Sequence, residues 1–253
     1  MAFLTLNYHS DALRRGVSVN VILPENHKTA IGMSSHRDNT YKTLYLLHGL
    51  SDDQTIWSRR TSIERYAARY GISVVMPCTD RAWYSNTYYG AKYFTFISKE
   101  LPTVCRSFFA GMSPLPEDNF IAGNSMGGYG AMKVALTFPE AFGGCASLSG
   151  ALDLTGKTWT RVSDPKEWKN VFGEVFASSD EVIGSENDVY YLAKNAANAA
   201  TLPKLYMWCG AEDALLEANR EVHQQSSCRT LRLWELDLHF FICETETALL
   251  ELM

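Results

Sequence analysis

Seven apolar runs of strand length recur along the chain, and helical patterning separates most of them. They are VSVNVIL (17–23), TLYLLH (43–48), ISVVMP (72–77), NFIAGN (119–124), CASLS (145–149), KLYMWC (204–209) and TLRLW (230–234). Helical patterning lies near 54–69, 92–109, 126–138, 189–199 and 214–227, with a last segment from about 240. Most of the runs are continuously apolar rather than alternating, which is the mark of strands buried on both faces. That order predicts a mostly parallel central sheet with helices on both faces, an α/β architecture. A chain of 253 residues can bury the core such a sheet needs within a single domain. Residues 24–42 are polar and read as a loop. Residues 151–200 separate two strand candidates and read as a small cap-like insertion at the carboxyl edge of the sheet, where ligands bind in such folds.

Composition narrows the partners. A net charge of −5 leaves no basic footprint for nucleic acid or an anionic membrane surface. No run reaches the roughly 18 apolar residues that a membrane span requires. The opening MAFLTLNYHSDALRRGV has no long apolar core behind a basic segment, so no signal peptide is expected. Six cysteines (Cys78, Cys105, Cys145, Cys209, Cys228, Cys243) are scattered, several of them in apolar runs. They read as buried free thiols in a reducing cytoplasm.

The chemistry concentrates at Gly123-Asn124-Ser125-Met126-Gly127, which fits G-x-S-x-G between a strand candidate and a helix candidate that Pro139 closes. A sharp strand-to-helix turn would lift the serine hydroxyl out of the sheet edge. Side chains at 123 or 127 would collide with the neighbouring elements, and Gly128 and Gly130 would let the helix pack closely. Phosphate-loop readings fail: Gly128-Tyr129-Gly130 leads to Lys133, and no GK[ST] follows.

A serine needs a base and an orienting acid, in the order Ser, Asp or Glu, His on this kind of sheet. Of the two histidines after Ser125, His223 falls in the polar helical stretch EANREVHQQSS, whereas His239 follows the last strand candidate. His239 is the expected base. Asp213 is the expected acid, directly after KLYMWC, with Glu212 and Asp237 as alternatives and helix capping as a compatible second role. Two N–H groups should stabilise the oxyanion, those of Met126 and of Leu50 in the LYLLHGLSDDQTIW stretch. His48 precedes the serine and reads as a structural residue of that loop.

LLHGLSDDQTIW, GNSMGGYGAMKVAL, SLSGALDL, WCGAEDALLEAN and AWYSNTYYGAKYF together resemble the esterase D / S-formylglutathione hydrolase family, closest to the streptococcal and lactococcal tributyrin esterase (acetyl esterase) subgroup. The resemblance spans nearly the whole chain. It implies an α/β-hydrolase fold, no cofactor and no metal, and hydrolysis of short-chain acyl esters of small molecules. It carries over Ser125, Asp213 and His239 as a triad and Leu50 and Met126 as oxyanion donors. The subgroup reaches its histidine through a glycine-containing loop, where this chain reads Asp237-Leu238-His239-Phe240-Phe241.

Trp57, Trp83 and Asn124 are the substrate-binding candidates, with Tyr84, Tyr88 and Tyr89 as further aromatics that could instead pack the core. Arg59, Arg60 and Arg81 are the cations available to an anionic substrate such as a glutathione thioester. The favoured reading is a serine carboxylesterase for acetyl to butyryl esters, acting through an acyl-enzyme. A thioesterase of the S-formylglutathione hydrolase kind, an acyltransferase on the same triad, and a non-catalytic binding protein are the alternatives. A homo-oligomer is compatible with the sequence, and nothing in it counts subunits.

Overall fold

The computed structural model describes residues 1–26, 38–196, 202–226 and 230–234. Eight strands form one sheet: β1 (Ala2–Ser10), β2 (Arg15–Leu23), β3 (Thr43–Leu47), β4 (Ser73–Pro77), β5 (Asn119–Asn124), β6 (Gly144–Leu148), β7 (Lys204–Gly210) and β8 (Thr230–Trp234). The spatial order is β1-β2-β4-β3-β5-β6-β7-β8. β1 and β2 are antiparallel to their neighbours, and every pairing among β3 to β8 is parallel. The sheet is therefore mostly parallel, as expected, and the fold is that of the α/β hydrolases.

Alternate residues of the parallel strands feed two cores. Tyr45, Leu47, Val75, Ile121, Cys145 and Met207 face one side. Leu44, Leu46, Val74, Met76, Ala122 and Trp208 face the other. Burial on both faces is why these strands read as unbroken apolar runs. The second face is covered by α1 (Ile56–Arg60) and α2 (Ile63–Tyr70), which bury Trp57, Ile63 and Tyr66 there. On the first face lies a helical run that starts as α3 (Tyr93–Thr95), widens into a π-helical stretch at Phe96–Glu100 and continues as α4 (Leu101–Phe108). Beside it lies α5 (Met126–Thr137). The long β6–β7 connection adds α6 (Pro165–Phe172) and α7 (Val189–Ala196), and α8 (Leu216–Gln225) follows β7.

Two elements depart from the sequence reading. β1 has no counterpart among the expected strands. It is an edge strand, paired on one side and with mostly exposed or half-exposed side chains, so it lacks the continuous apolar signature. The helix expected over 54–69 is two helices. Thr61 takes an extended conformation between them, and its Oγ1 accepts the N–H of Ile63 at 3.2 Å. The loop expected over 24–42 is irregular where described, apart from an isolated Tyr41–Met112 bridge. Cys105, Cys145 and Cys209 are buried and Cys78 is half-buried, and none of these four is in a disulfide. The helix expected from about 240 lies outside the described residues, as do Cys228 and Cys243.

Candidate active site

β5 ends at Asn124 and α5 begins at Met126, so Ser125 stands alone at the turn between them. Its φ of 54° and ψ of −115° lie where side-chain-bearing residues rarely go. Three backbone hydrogen bonds hold it there. Its N–H donates to Leu148 O at 3.0 Å, and its carbonyl accepts from Tyr129 N–H at 3.0 Å and Ala151 N–H at 3.1 Å. Glycines make the turn sterically feasible. A Cβ at 123 would lie 2.4 Å from the Gly127 carbonyl, and one at 127 would lie 2.4 Å from Leu47 O. Gly128 meets the end of β6 through Gly150 and Ser147, whereas Gly130 accommodates the Tyr84 ring rather than the sheet. α5 is buried from Met126 to Leu136, and its first N–H groups, Met126 included, have no carbonyl one turn earlier to bond. They face the end of the helix where Ser125 sits, which favours negative charge there.

Strain is not confined to the serine. Of the seven non-glycine residues with positive φ among the described residues, six lie on loops after β3, β4, β5 and β6: Ser51, Asp80, Trp83, Tyr84, Ser125 and Ser149. These loops share the carboxyl edge of the parallel strands. Clustered strain of this kind marks a site whose geometry the surrounding fold enforces.

The loop after β3 is tied down by His48. Thr79 N–H donates to its Nε2 at 3.0 Å, so Nε2 is the acceptor and Nδ1 carries the proton that reaches Gly49 O at 2.7 Å. Burial pushes the imidazole pKa down, which keeps this ring neutral. Tyr84, buried and strained, donates its hydroxyl to His48 O at 2.9 Å. Gly49 lies against the elbow: a Cβ there would be 3.6 Å from Asn124 O and 3.2 Å from an Asp52 carboxylate oxygen. The next residue is Leu50, followed by strained Ser51. His48 thus has a structural place in the loop that carries the Leu50 N–H. Tyr84 supports the same loop, a part that nothing in its local sequence signals.

Asp213 follows β7 and is half-exposed, and its Oδ1 accepts Leu215 N–H at 2.9 Å ahead of α8. Its neighbour Glu212 is exposed. Behind it, burial pushes the Cys209 thiol up to about 12, with the Asp213 carboxylate and the Ser149 hydroxyl as further neighbours. His223 sits half-exposed on α8. His239 and Asp237 lie outside the described residues.

A cleft of about 70 Å³ opens beside the elbow, lined by Gly49, Asp52, Ile56, Trp57, Arg60, Thr61 and Asn124. Two of the three substrate-binding candidates, Trp57 and Asn124, therefore border one small space. Trp83 does not. It is 1% exposed, donates its Nε1–H to Val171 O at 3.2 Å, and packs on Phe172 at 4.7 Å and Tyr129 at 5.9 Å. Trp83 fastens the loop after β4 to the β6–β7 connection and is not among the residues that line this cleft. Tyr88 and Tyr89 are exposed. Arg81 is tied to the connection through Asn170 O and Glu174, whereas Arg60 stands on the rim of the cleft. Among the described residues, no group of three or more His, Cys, Asp or Glu side chains could hold a metal ion.

Comparison with known proteins places this geometry. The model of the Esterase family matches residues 10–235. An acetyl esterase from Caldicellulosiruptor saccharolyticus is 30% identical over 233 residues, which span 88% of this chain and 85% of that one. The substrate-bound structure of FphF, a fluorophosphonate-binding serine hydrolase of Staphylococcus aureus, is 31% identical with a TM-score of 0.80, covering 99% of this chain and 98% of that one. The apoenzyme of the S-formylglutathione hydrolase FrmB, also from Staphylococcus aureus, is 33% identical with a TM-score of 0.79 over the same shares.

Proposed function

The chain belongs to the esterase family and is a serine hydrolase, and on that premise we propose that it is a carboxylesterase cleaving short-chain acyl esters, acetyl to butyryl, through an acyl-enzyme. The observation that carries this reading is Ser125, alone and strained between β5 and the positive end of α5. In this reading Ser125 Oγ attacks the ester carbonyl as His239 takes its proton. Asp213 holds the imidazole tautomer and stabilises the cation that forms. The carbonyl oxygen becomes an oxyanion facing the N–H groups of Met126 and Leu50. Collapse breaks the bond to the alcohol oxygen, which receives the proton from His239. Water then attacks the acyl-enzyme, again through His239, and the carboxylic acid departs with Ser125 restored.

The small cleft between Gly49, Trp57 and Asn124 supports an acyl site of limited length. The likeness to an acetyl esterase supports the same acyl range. Across a nitrophenyl ester series, kcat/KM is expected to peak between acetyl and butyryl and to fall by about tenfold at octanoyl. A flat or rising profile contradicts the short-chain reading. A second reading is favoured by the exposed guanidinium of Arg60 on the rim and by the likeness to FrmB: the leaving group is a thiol bearing carboxylates. An S-formylglutathione kcat/KM well above that for nitrophenyl acetate would select it. We further read the chain as one domain with the β6–β7 connection as a cap, in a reducing cytoplasm that suits its buried thiols.

A further inference from the structure

Lys133 is fully buried, yet the proposed chemistry has no use for it. It lies two helical turns beyond Ser125 on α5. Its Nζ donates to Ser85 Oγ at 2.9 Å and to Asn187 Oδ1 at 2.5 Å, and it sits 4.4 Å from the centroid of the Phe94 ring. Among the described residues these polar partners are a hydroxyl and an amide, not a carboxylate. Glu186 is the nearby opposite charge that acts on it, and burial lowers its pKa to about 7. A buried amine held by neutral partners is costly to keep, which asks what it holds in place.

Tyr129 answers. It precedes Lys133 by four residues, so the two side chains share one face of α5. The Tyr129 hydroxyl donates to the backbone carbonyl of Asn187 at 2.9 Å. One residue of the β6–β7 connection is thus gripped twice, by its carbonyl and by its side chain. Near its start the same connection carries Ala151, whose N–H donates to the carbonyl of Ser125 itself. The connection is therefore fastened near its start to Ser125 and again at Asn187 to the helix that follows it. Trp168 and Phe172 of the connection pack in the core on the α5 face, whereas Trp57 of the cleft packs in the core on the opposite face. Ser125 stands between the two. An acyl group in the cleft, on the Trp57 side, would leave the side of the connection for the alcohol part of the ester.

We propose that Lys133 is a positioning residue: together with Tyr129 it clamps Asn187 onto the nucleophile helix and so sets the wall that the alcohol part of the substrate meets. The proposal rests on the esterase reading above. Asn187→Ala tests it, because it removes the Lys133 acceptor without disturbing the α5 core. KM for 2-naphthyl acetate is expected to rise about fivefold with kcat within about twofold, while methyl acetate kinetics stay at wild-type values. Asn187→Asp, which keeps an oxygen acceptor, restores the wild-type KM. Lys133→Met gives the same split, and if it fails to fold, Asn187→Ala alone decides. A loss of packing alone would lower the titratable active fraction, and so kcat, at constant KM. That result, or unchanged KM for both acetates, overturns the proposal. If the wild type cleaves neither acetate, the esterase reading fails on its own. Hydrogen exchange over 182–196 then decides the clamp: faster exchange in Asn187→Ala supports it, and unchanged exchange overturns it.

Discussion

Ser125 holds torsion angles that glycine tolerates and serine rarely adopts, and the hydroxyl is what this strain secures. Ser125→Gly is expected to raise stability by about 1 kcal/mol, the relieved strain outweighing the added freedom of the unfolded chain. The same variant abolishes hydrolysis, and urea denaturation beside a nitrophenyl acetate assay checks both. Ser125→Ala is expected to lower kcat by at least about 10⁴-fold with the fold intact. At this scale much was legible in the residues themselves. G-x-S-x-G between an apolar run and a helical one placed Ser125, because the glycines are dictated by backbone contacts of 2.4 Å. Trp83 was not legible, since an aromatic residue near a motif looks the same whether it packs or lines a cavity. Lys133 left a trace, a lone charge within GAMKVAL, but its partner Asn187 lies 54 residues away.

At the scale of elements, α5 and the loop after β3 are matched surfaces. Gly127→Ala would drive a methyl into Leu47 O and is expected to cost about 3 kcal/mol or more, with loss of activity, as read by thermal melting and ester turnover. The loop has its own titration. His48 is held neutral with its pKa lowered by burial. The unfolded chain therefore binds a proton near pH 6.5 that the native state refuses until lower pH. Stability is expected to fall as pH drops below about 6.5, by up to about 1.4 kcal/mol per unit from this group. His48→Gln, which offers one donor and one acceptor, should show a shallower fall between pH 6.5 and 5 in urea midpoints. The parallel strands were readable because burial on both faces makes them continuous in apolar character. β1 was not, because an edge strand shares half its surface with solvent. The break at Thr61 was hidden because the helical pattern continues across it.

Across the whole molecule, the β6–β7 connection joins the site to the core of the α5 face, and burial lowers the pKa of the amine at its fastening. Lys133 has a native pKa of about 7 against an ordinary lysine value near 10.4 when unfolded. Between those limits the unfolded chain binds the extra proton, so stability rises with pH. Wild type is expected to gain stability over Lys133→Met from pH 7 to pH 9, by up to about 1.4 kcal/mol per unit, and chemical denaturation at each pH measures the slope. Equal slopes contradict a buried amine with a lowered pKa. The alternation of strands and helices disclosed the architecture at this scale. The long-range fastenings, such as Ala151 on Ser125 and Asn187 on Lys133, depend on tertiary contacts that no local pattern encodes.

The most direct measurement treats the protein with a fluorophosphonate probe and maps the adduct by mass spectrometry. One adduct is expected, on the peptide that contains Ser125, and none in Ser125→Ala. An adduct elsewhere, or one that persists in that variant, would contradict the assignment of Ser125 as the nucleophile.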